Sequence, residues 1–184
     1  MKNDWRLIDG KELYDLGADP AQRKDVANAH PAIVEELRAL YTPFWESVSP
    51  RMTPVSIDLG NLSENPTVLC SQDWYMPTGN PPWNFGSIKK LPKVTGPWHV
   101  DVKSPGRYKV TLRQLPIEAD QPVNAARAKV EIAGKTAEAP VEPGSKGVEF
   151  ELDLPAGLTE LKTWLYNEKG QAGGAYFTEV ELLK

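Results

Sequence analysis

From Thr53 onward, short runs of β-prone residues are separated by turn signals, and no run keeps a helical period. The turns carry proline and glycine, as in Ser104-Pro105-Gly106 and Glu142-Pro143-Gly144, and the 184 residues include 17 prolines and 14 glycines. This pattern predicts an all-β body rather than a helical one. The predicted strands are 55–59, 67–71, 98–102, 107–112, 128–132, 148–154, 160–166 and 175–182.

Several of these strands alternate strictly between apolar and polar residues. In 107–113, Tyr108, Val110 and Leu112 alternate with basic residues and a threonine, and in 148–154 apolar residues alternate with Glu149, Glu151 and Asp153. A strand with one apolar and one wet face belongs to an antiparallel sheet packed on one side. The eight candidate strands and their spacing predict a jelly-roll-like antiparallel β-sandwich.

The first 50 residues have a different pattern. The runs 5–8 and 12–16 flank Asp9-Gly10-Lys11, a strong hairpin signal. Pro31 then begins a predicted amphipathic helix. Pro43 is expected to kink or end its regular part near residue 42, and 42–48 is expected to continue as a bent extra turn. The apolar stripe of this helix comprises Ile33, Val34, Leu37, Leu40, Tyr41, Phe44, Trp45 and Val48. We therefore predict a small α+β layer at 1–50 and a separate β-sandwich at 53–184, and we expect the stripe to need a packing partner.

The most distinctive text runs from Trp5-Arg6-Leu7-Ile8 through Glu12-Leu13-Tyr14-Asp15-Leu16 and Asp19-Pro20 to Asp25-Val26-Ala27 and His30-Pro31. It resembles the C-terminal subdomain of bacterial sulfatases (the arylsulfatase family of the alkaline-phosphatase-like superfamily), in which a final hairpin and helix close the enzyme. The later run from Gly96-Pro97-Trp98 to Leu115-Pro116, with Gly173-Gly174-Ala175-Tyr176-Phe177, resembles a β-sandwich appended to some of these enzymes. The resemblance implies a chain that caps a sulfatase catalytic domain lying N-terminal to it, in the periplasm or outside the cell.

Sulfatases of this type use Ca²⁺ and a formylglycine made within C/S-x-P-x-R, and that motif is absent here. Cys70 continues as Ser71-Gln72-Asp73, and Ser49-Pro50-Arg51 lacks the intervening residue. We expect Cys70 to be structural, His30 to lie at a helix entrance, and His99 to lie on a strand surface. The pair Glu118 and Asp120 is interpreted as part of a turn, with an acid pair or a Ca²⁺ site as the alternative. No catalytic residue, metal ligand or cofactor site is therefore predicted within this chain, and we expect it to be inactive as a sulfatase on its own.

Two sets of residues are candidates for contact with a carbohydrate. The aromatic segment 73–85 offers Trp74, Tyr75 and Trp83 as stacking surfaces, with packing of these rings as the alternative. The strand 107–113 offers Arg107, Lys109 and Arg113 to a sulfated or carboxylated glycan. Pairing of this basic row with the acidic face of 149–153 is the alternative.

Composition narrows the range of partners. The net charge is −4, so no general field attracts nucleic acid, and no apolar run is long enough to span a membrane. The function that we expect is a non-catalytic C-terminal part of a sulfatase that caps the catalytic domain and helps to bind substrate. The alternatives are a carbohydrate-binding β-sandwich module and a structural interaction domain.

Overall fold

In the computed structural model, which describes residues 1–183, the chain forms two units. The first comprises Met1–Thr53, and the second begins at Pro54. Among the described residues, no helix combines the length and the apolar composition that crossing a lipid bilayer requires.

The first unit is a two-stranded hairpin packed on one long helix. Strands β1 (Trp5–Ile8) and β2 (Glu12–Asp15) pair antiparallel around a turn in which Asp9 and Gly10 have φ values of 50° and 68°. A 3₁₀ turn then leads into helix α1 (Pro31–Val48). The buried residues of this unit are Leu13 of β2 and Val34 and Leu37 of α1.

Helix α1 is longer than the hairpin that covers it. Eighteen residues of α-helix extend about 27 Å, whereas four residues of strand extend about 13 Å. Of the two predicted effects of Pro43, an end of the helix near residue 42 is wrong, because α1 continues through Pro43 to Val48; a kink there stays a prediction. Pro43 cannot donate to the carbonyl of Ala39, but Ala39 is exposed and water can satisfy that oxygen.

The second unit contains two sheets. Its elements are β3 (Ile57–Leu59), β4 (Thr67–Cys70), α2 (Phe85–Ile88), β5 (Trp98–Val102), β6 (Gly106–Arg113), β7 (Arg127–Ile132), β8 (Lys135–Pro140), β9 (Val148–Leu154), β10 (Gly157–Tyr166), β11 (Ala172–Gly173) and β12 (Phe177–Leu182). Sheet I has the order β3-β5-β10-β7-β8, with β11 beside β10. Sheet II has the order β4-β12-β6-β9. All neighbouring strands are antiparallel except β3 and β5.

The predicted fold class is confirmed: a mainly β, jelly-roll-like sandwich preceded by a hairpin and one amphipathic helix. The ranges of β5 and β9 match the prediction, but β8 was not predicted. The core is formed by inward residues of both sheets, and its largest side chains are Trp98, Tyr108 and Tyr176. The long segment that connects β4 to β5 carries most of the exposed aromatic residues of the unit.

Candidate functional site

The segment between β4 and β5 holds two tryptophans in opposite environments, and Trp74 is the buried one. Its side chain is only 5% exposed, and its ring centroid lies 5.6 Å from that of Trp98 and 5.5 Å from that of Tyr176. A Cβ atom at Gly174 would approach its ring carbons to 2.5 Å, so the backbone closes over this ring. Trp74 therefore has no free face for a sugar, and the structure removes it from the predicted carbohydrate contacts.

Trp83 is the exposed tryptophan, with 82% of its surface accessible to solvent. The backbone on both sides of it is held in place. The side-chain amide of Gln72 donates to the carbonyl of Pro82 at 3.1 Å. On the other side, Asn84 caps α2 by accepting from the backbone N–H of Ser87 at 2.8 Å. Trp83 is thus an apolar ring presented to solvent on an anchored backbone.

Tyr75, the third aromatic residue of the prediction, lies at the boundary between exposed and packed. Its ring is half exposed and meets His99 edge-on, with 5.0 Å between the ring centroids. His99 is half-buried on β5 and faces outward from sheet I. The backbone N–H of Tyr75 donates to the carbonyl of Pro97 at 2.8 Å, which fixes the backbone beneath the half-exposed ring.

The predicted basic row is already paired with carboxylates. Arg107 lies 2.9 Å from Glu151, Lys109 lies 2.7 Å from Glu181, and Arg113 lies 3.0 Å from Glu179. The hydrogen bond to Glu151 raises the pKa of Arg107, and the hydrogen bond to Glu181 raises the pKa of Lys109. An anionic glycan would have to displace these partners, so Arg107, Lys109 and Arg113 offer no free anion site.

A cluster of exposed cations lies elsewhere in this unit, on the segment that carries Trp83. Lys89, Lys90 and Lys93 follow α2, are exposed, and take part in none of the ion pairs found within residues 1–183. Sequence reasoning missed them. The signal that could have found them is the lack of any Asp or Glu between Trp74 and Val100.

Cys70 and the pair Glu118 and Asp120, the other candidates for reactivity or metal binding, lie in local turns and contacts with neighbouring side chains. Cys70 donates from its thiol to Asp73 at 3.4 Å, and burial raises the pKa of that thiol. Glu118 lies in a 3₁₀ turn, and Asp120, which follows with a left-handed backbone, pairs with Lys146. Among residues 1–183 no group of three His, Cys, Asp or Glu side chains is placed to hold a metal ion.

In the first unit, the carboxylates of the distinctive motif bind backbone N–H groups. Asp15 accepts from Gly17 and Ala18, and Asp19 accepts from the backbone of residues 23 and 24. Asp25 accepts from Leu13 at 3.0 Å and from Ala27 at 2.9 Å, which joins β2 to the turn before α1. These bonds, first from Ala27 and then from Leu13, hold the pKa of Asp25 below its ordinary value. His30 lies at the helix entrance, as predicted, with its ring 5.0 Å from that of Trp5.

The C-terminal half of α1 forms an exposed apolar surface, which we call the α1 strip. It comprises Leu40, Tyr41, Phe44 and Trp45, which are 44–58% exposed. The ring of Tyr41 lies 5.9 Å from Phe44 and 6.1 Å from Trp45, so the three aromatic residues form one cluster. A cavity of about 390 Å³ lined by Leu7, Leu37 and Tyr41, among others, lies beside this cluster.

No family model and no curated protein matches this chain. Similar solved structures include a ruminal GH26 endo-beta-1,4-mannanase, with 17% identity, a TM-score of 0.42, and 65% of this chain matched to 26% of that one. A GH2 beta-galacturonidase from Eisenbergiella tayi, bound to galacturonate, has 14% identity and a TM-score of 0.31, with 49% of this chain matched to 17% of the enzyme. The ANX2 ectodomain from Arabidopsis thaliana has 15% identity and a TM-score of 0.29, with 67% and 42% covered. The chain thus spans less than half of each of these proteins, and the likenesses are too low to carry an argument.

Proposed function

We propose that this chain is the non-catalytic C-terminal part of a bacterial sulfatase, and that the unit Met1–Thr53 caps the catalytic domain. The observation that carries the proposal is the α1 strip, in which four neighbouring large apolar side chains remain exposed on one helix. Contiguous exposed apolar surface of this kind marks interaction sites in soluble proteins. The resemblance of the motif at residues 5–31 to the closing subdomain of sulfatases supplies the identity of the partner.

The strip continues the face by which α1 packs on the hairpin. Leu37 is buried, and Tyr41 and Phe44 follow it at four and seven residues, on the same side of the helix. Both side chains are more than half exposed within this unit, so a surface outside it must cover them if they are to be buried. In this arrangement, Ca²⁺ and the formylglycine would belong to the catalytic domain, and the assembled enzyme would be periplasmic or secreted.

Reading the gene upstream of Met1 tests this proposal directly. A C/S-x-P-x-R motif in the same reading frame, or in an adjacent gene whose product binds this chain, is the expected result. Binding to that catalytic domain should be lost in Phe44→Ser/Trp45→Ser and kept in Val55→Ser/Leu158→Ser, which removes two exposed apolar residues of the other unit. A catalytic domain that binds both double variants equally would contradict the capping role.

A second function, carbohydrate binding by the β-sandwich, is favoured by Trp83. An apolar ring that is 82% exposed is costly to leave in water, yet its backbone is fixed on both sides. A rigid aromatic side chain loses little entropy on binding, which makes it an effective stacking surface. Electrophoresis of the chain in gels that contain polysaccharide tests this function. We expect retardation by at least one polysaccharide and its loss in Trp83→Ala, and no retardation by any of them would contradict it.

A further inference from the structure

We propose that the segment around α2 is a binding site for anionic polysaccharide, in which Trp83 and Phe85 contact sugar rings and Lys89, Lys90 and Lys93 pair with sulfate or carboxylate groups. This inference rests on the proposed carbohydrate binding and names its ligand class and its charged residues. It replaces the basic row on β6 with a set of cations that are free to bind.

Helical geometry brings Lys89 close to Phe85, one of the two exposed rings. Helix α2 is a single turn from Phe85 to Ile88, and the backbone N–H of Lys89 donates to the carbonyl of Phe85 at 2.9 Å. Lys89 therefore lies one helical turn from Phe85 and on the same side. Asn84, which directly follows Trp83, is the N-cap of α2. At a rise of about 1.5 Å per residue, its Cα atom lies about 8 Å from that of Lys89. An ammonium group on a flexible stem can thus reach a ligand that lies on the rings.

The backbone that carries the lysines is anchored by buried groups. The buried side chain of Gln114 donates to the carbonyl of Ile88 at 2.8 Å, and the hydroxyl of Tyr176 donates to the carbonyl of Pro92 at 2.8 Å. Between these anchors, Leu91 is buried. The three lysines therefore project from a fixed base, and only their side chains must be ordered on binding.

The charge of the segment is opposite to that of the whole chain. Residues 74–100 contain three lysines and no acidic residue, whereas the chain has a net charge of −4. The other basic candidates, on β6, are neutralised by their own carboxylates. Local positive charge beside exposed aromatic rings complements an anionic chain of sugars. Single-stranded nucleic acid also combines negative charge with flat rings. The segment has three lysines and no arginine, however, so it lacks the bidentate donors that favour phosphate recognition.

Affinity electrophoresis with dextran sulfate and with unmodified dextran of the same mass tests the inference. We expect the chain to be retarded by dextran sulfate more than by dextran. Since an exposed ion pair contributes about 1.4-fold to fivefold in affinity, Lys89→Gln/Lys90→Gln/Lys93→Gln should weaken binding to dextran sulfate by about threefold to a hundredfold. The matched control, Lys24→Gln/Lys135→Gln/Lys169→Gln, removes three exposed lysines elsewhere and should bind as the parent chain does.

The alternative outcomes are distinct. Equal retardation by dextran and no effect of the first triple variant would overturn the charged site while leaving carbohydrate binding intact. No retardation by either polymer would overturn both. Equal loss in the two triple variants, or tighter binding of a single-stranded oligodeoxynucleotide, would replace the glycan site by general polyanion or nucleic-acid binding. Polygalacturonate in a parallel gel tests carboxylate as the paired group. Retardation that the first triple variant loses supports the site, and no retardation would overturn carboxylate as its ligand.

Discussion

The two tryptophans of the β4–β5 segment should respond in opposite ways to truncation. Trp74→Ala removes a side chain that buries about 200 Å² of aromatic surface, which at about 25 cal/mol per Å² corresponds to about 5 kcal/mol. Truncation of core tryptophans typically costs about 3–5 kcal/mol. Trp83→Ala removes an exposed ring, and we expect a change within about 0.5 kcal/mol. The difference of at least about 2.5 kcal/mol is more than about fiftyfold in the equilibrium constant of unfolding.

Urea unfolding followed by far-UV circular dichroism measures this difference without depending on the fluorophores that the variants remove. With a slope of about 1–3 kcal/mol per M, the midpoint of Trp74→Ala should fall by about 1 M or more. Trp74→Phe is the control, because it keeps an aromatic ring and deletes an indole N–H that has no partner among the described residues. Most of the lost stability should return in that variant. Equal destabilisation by Trp74→Ala and Trp83→Ala would refute the conclusion that Trp74 packs in the core and Trp83 is exposed to solvent.

Three further predictions concern other parts of the chain. The lowered pKa of Asp25 means that its carboxylate stabilises the fold above about pH 4, the ordinary carboxyl range, and that this contribution is lost as the pH falls through the lowered value. Thermal melts of Asp25→Ala should therefore lie below those of the parent chain at pH 7 and approach them below about pH 4; a constant difference would contradict this. Leu37→Ala should cost about 2–5 kcal/mol in urea unfolding, whereas exposed Leu40→Ala should cost less than about 0.5 kcal/mol, and equal costs would contradict the assigned faces of α1. Burial and the carboxylate of Asp73 raise the pKa of Cys70, so iodoacetamide should alkylate this thiol slowly at pH 7.5 and faster in Asp73→Ala; an unchanged rate would count against that contact.

The fold was predictable because strand periodicity and turn chemistry agree over most of the chain. Strands such as β5 and β9 alternate cleanly, so their ranges could be read from the sequence. Strand β8 was missed because Lys135-Thr136-Ala137-Glu138-Ala139-Pro140 lacks β-branched and aromatic residues except for one threonine. It lies at the edge of sheet I, where pairing with β7 on one side suffices. Pro43 does not end α1, because Ala39, whose carbonyl loses its hydrogen bond, is exposed and water can reach it.

The candidate site was predictable only in its chemistry. Trp74 and Trp83 occur in the same proline-rich segment. Nothing in the local sequence distinguishes Trp74, which packs on Tyr176, from Trp83, which is exposed to solvent. That distinction depends on contacts more than 100 residues away in sequence. The pairing of the basic row was an open alternative, and the structure provides its partners. Two of them, Glu179 and Glu181, lie on β12 rather than on the strand that was expected.

Three aspartates of the distinctive motif in the first unit hold the local backbone in place. Asp15, Asp19 and Asp25 each accept hydrogen bonds from two backbone N–H groups, which fixes the turn, the link and the approach to α1. Their carboxylates are thus engaged within the unit, and a resemblance carried by them concerns how this layer folds rather than what it catalyses. The same local bonds position α1, whose 18 residues form a longer element than the four-residue strands that pack on it. The motif therefore leads to function only through the α1 strip, and the identity of the surface that covers Phe44 and Trp45 decides whether the sulfatase proposal stands.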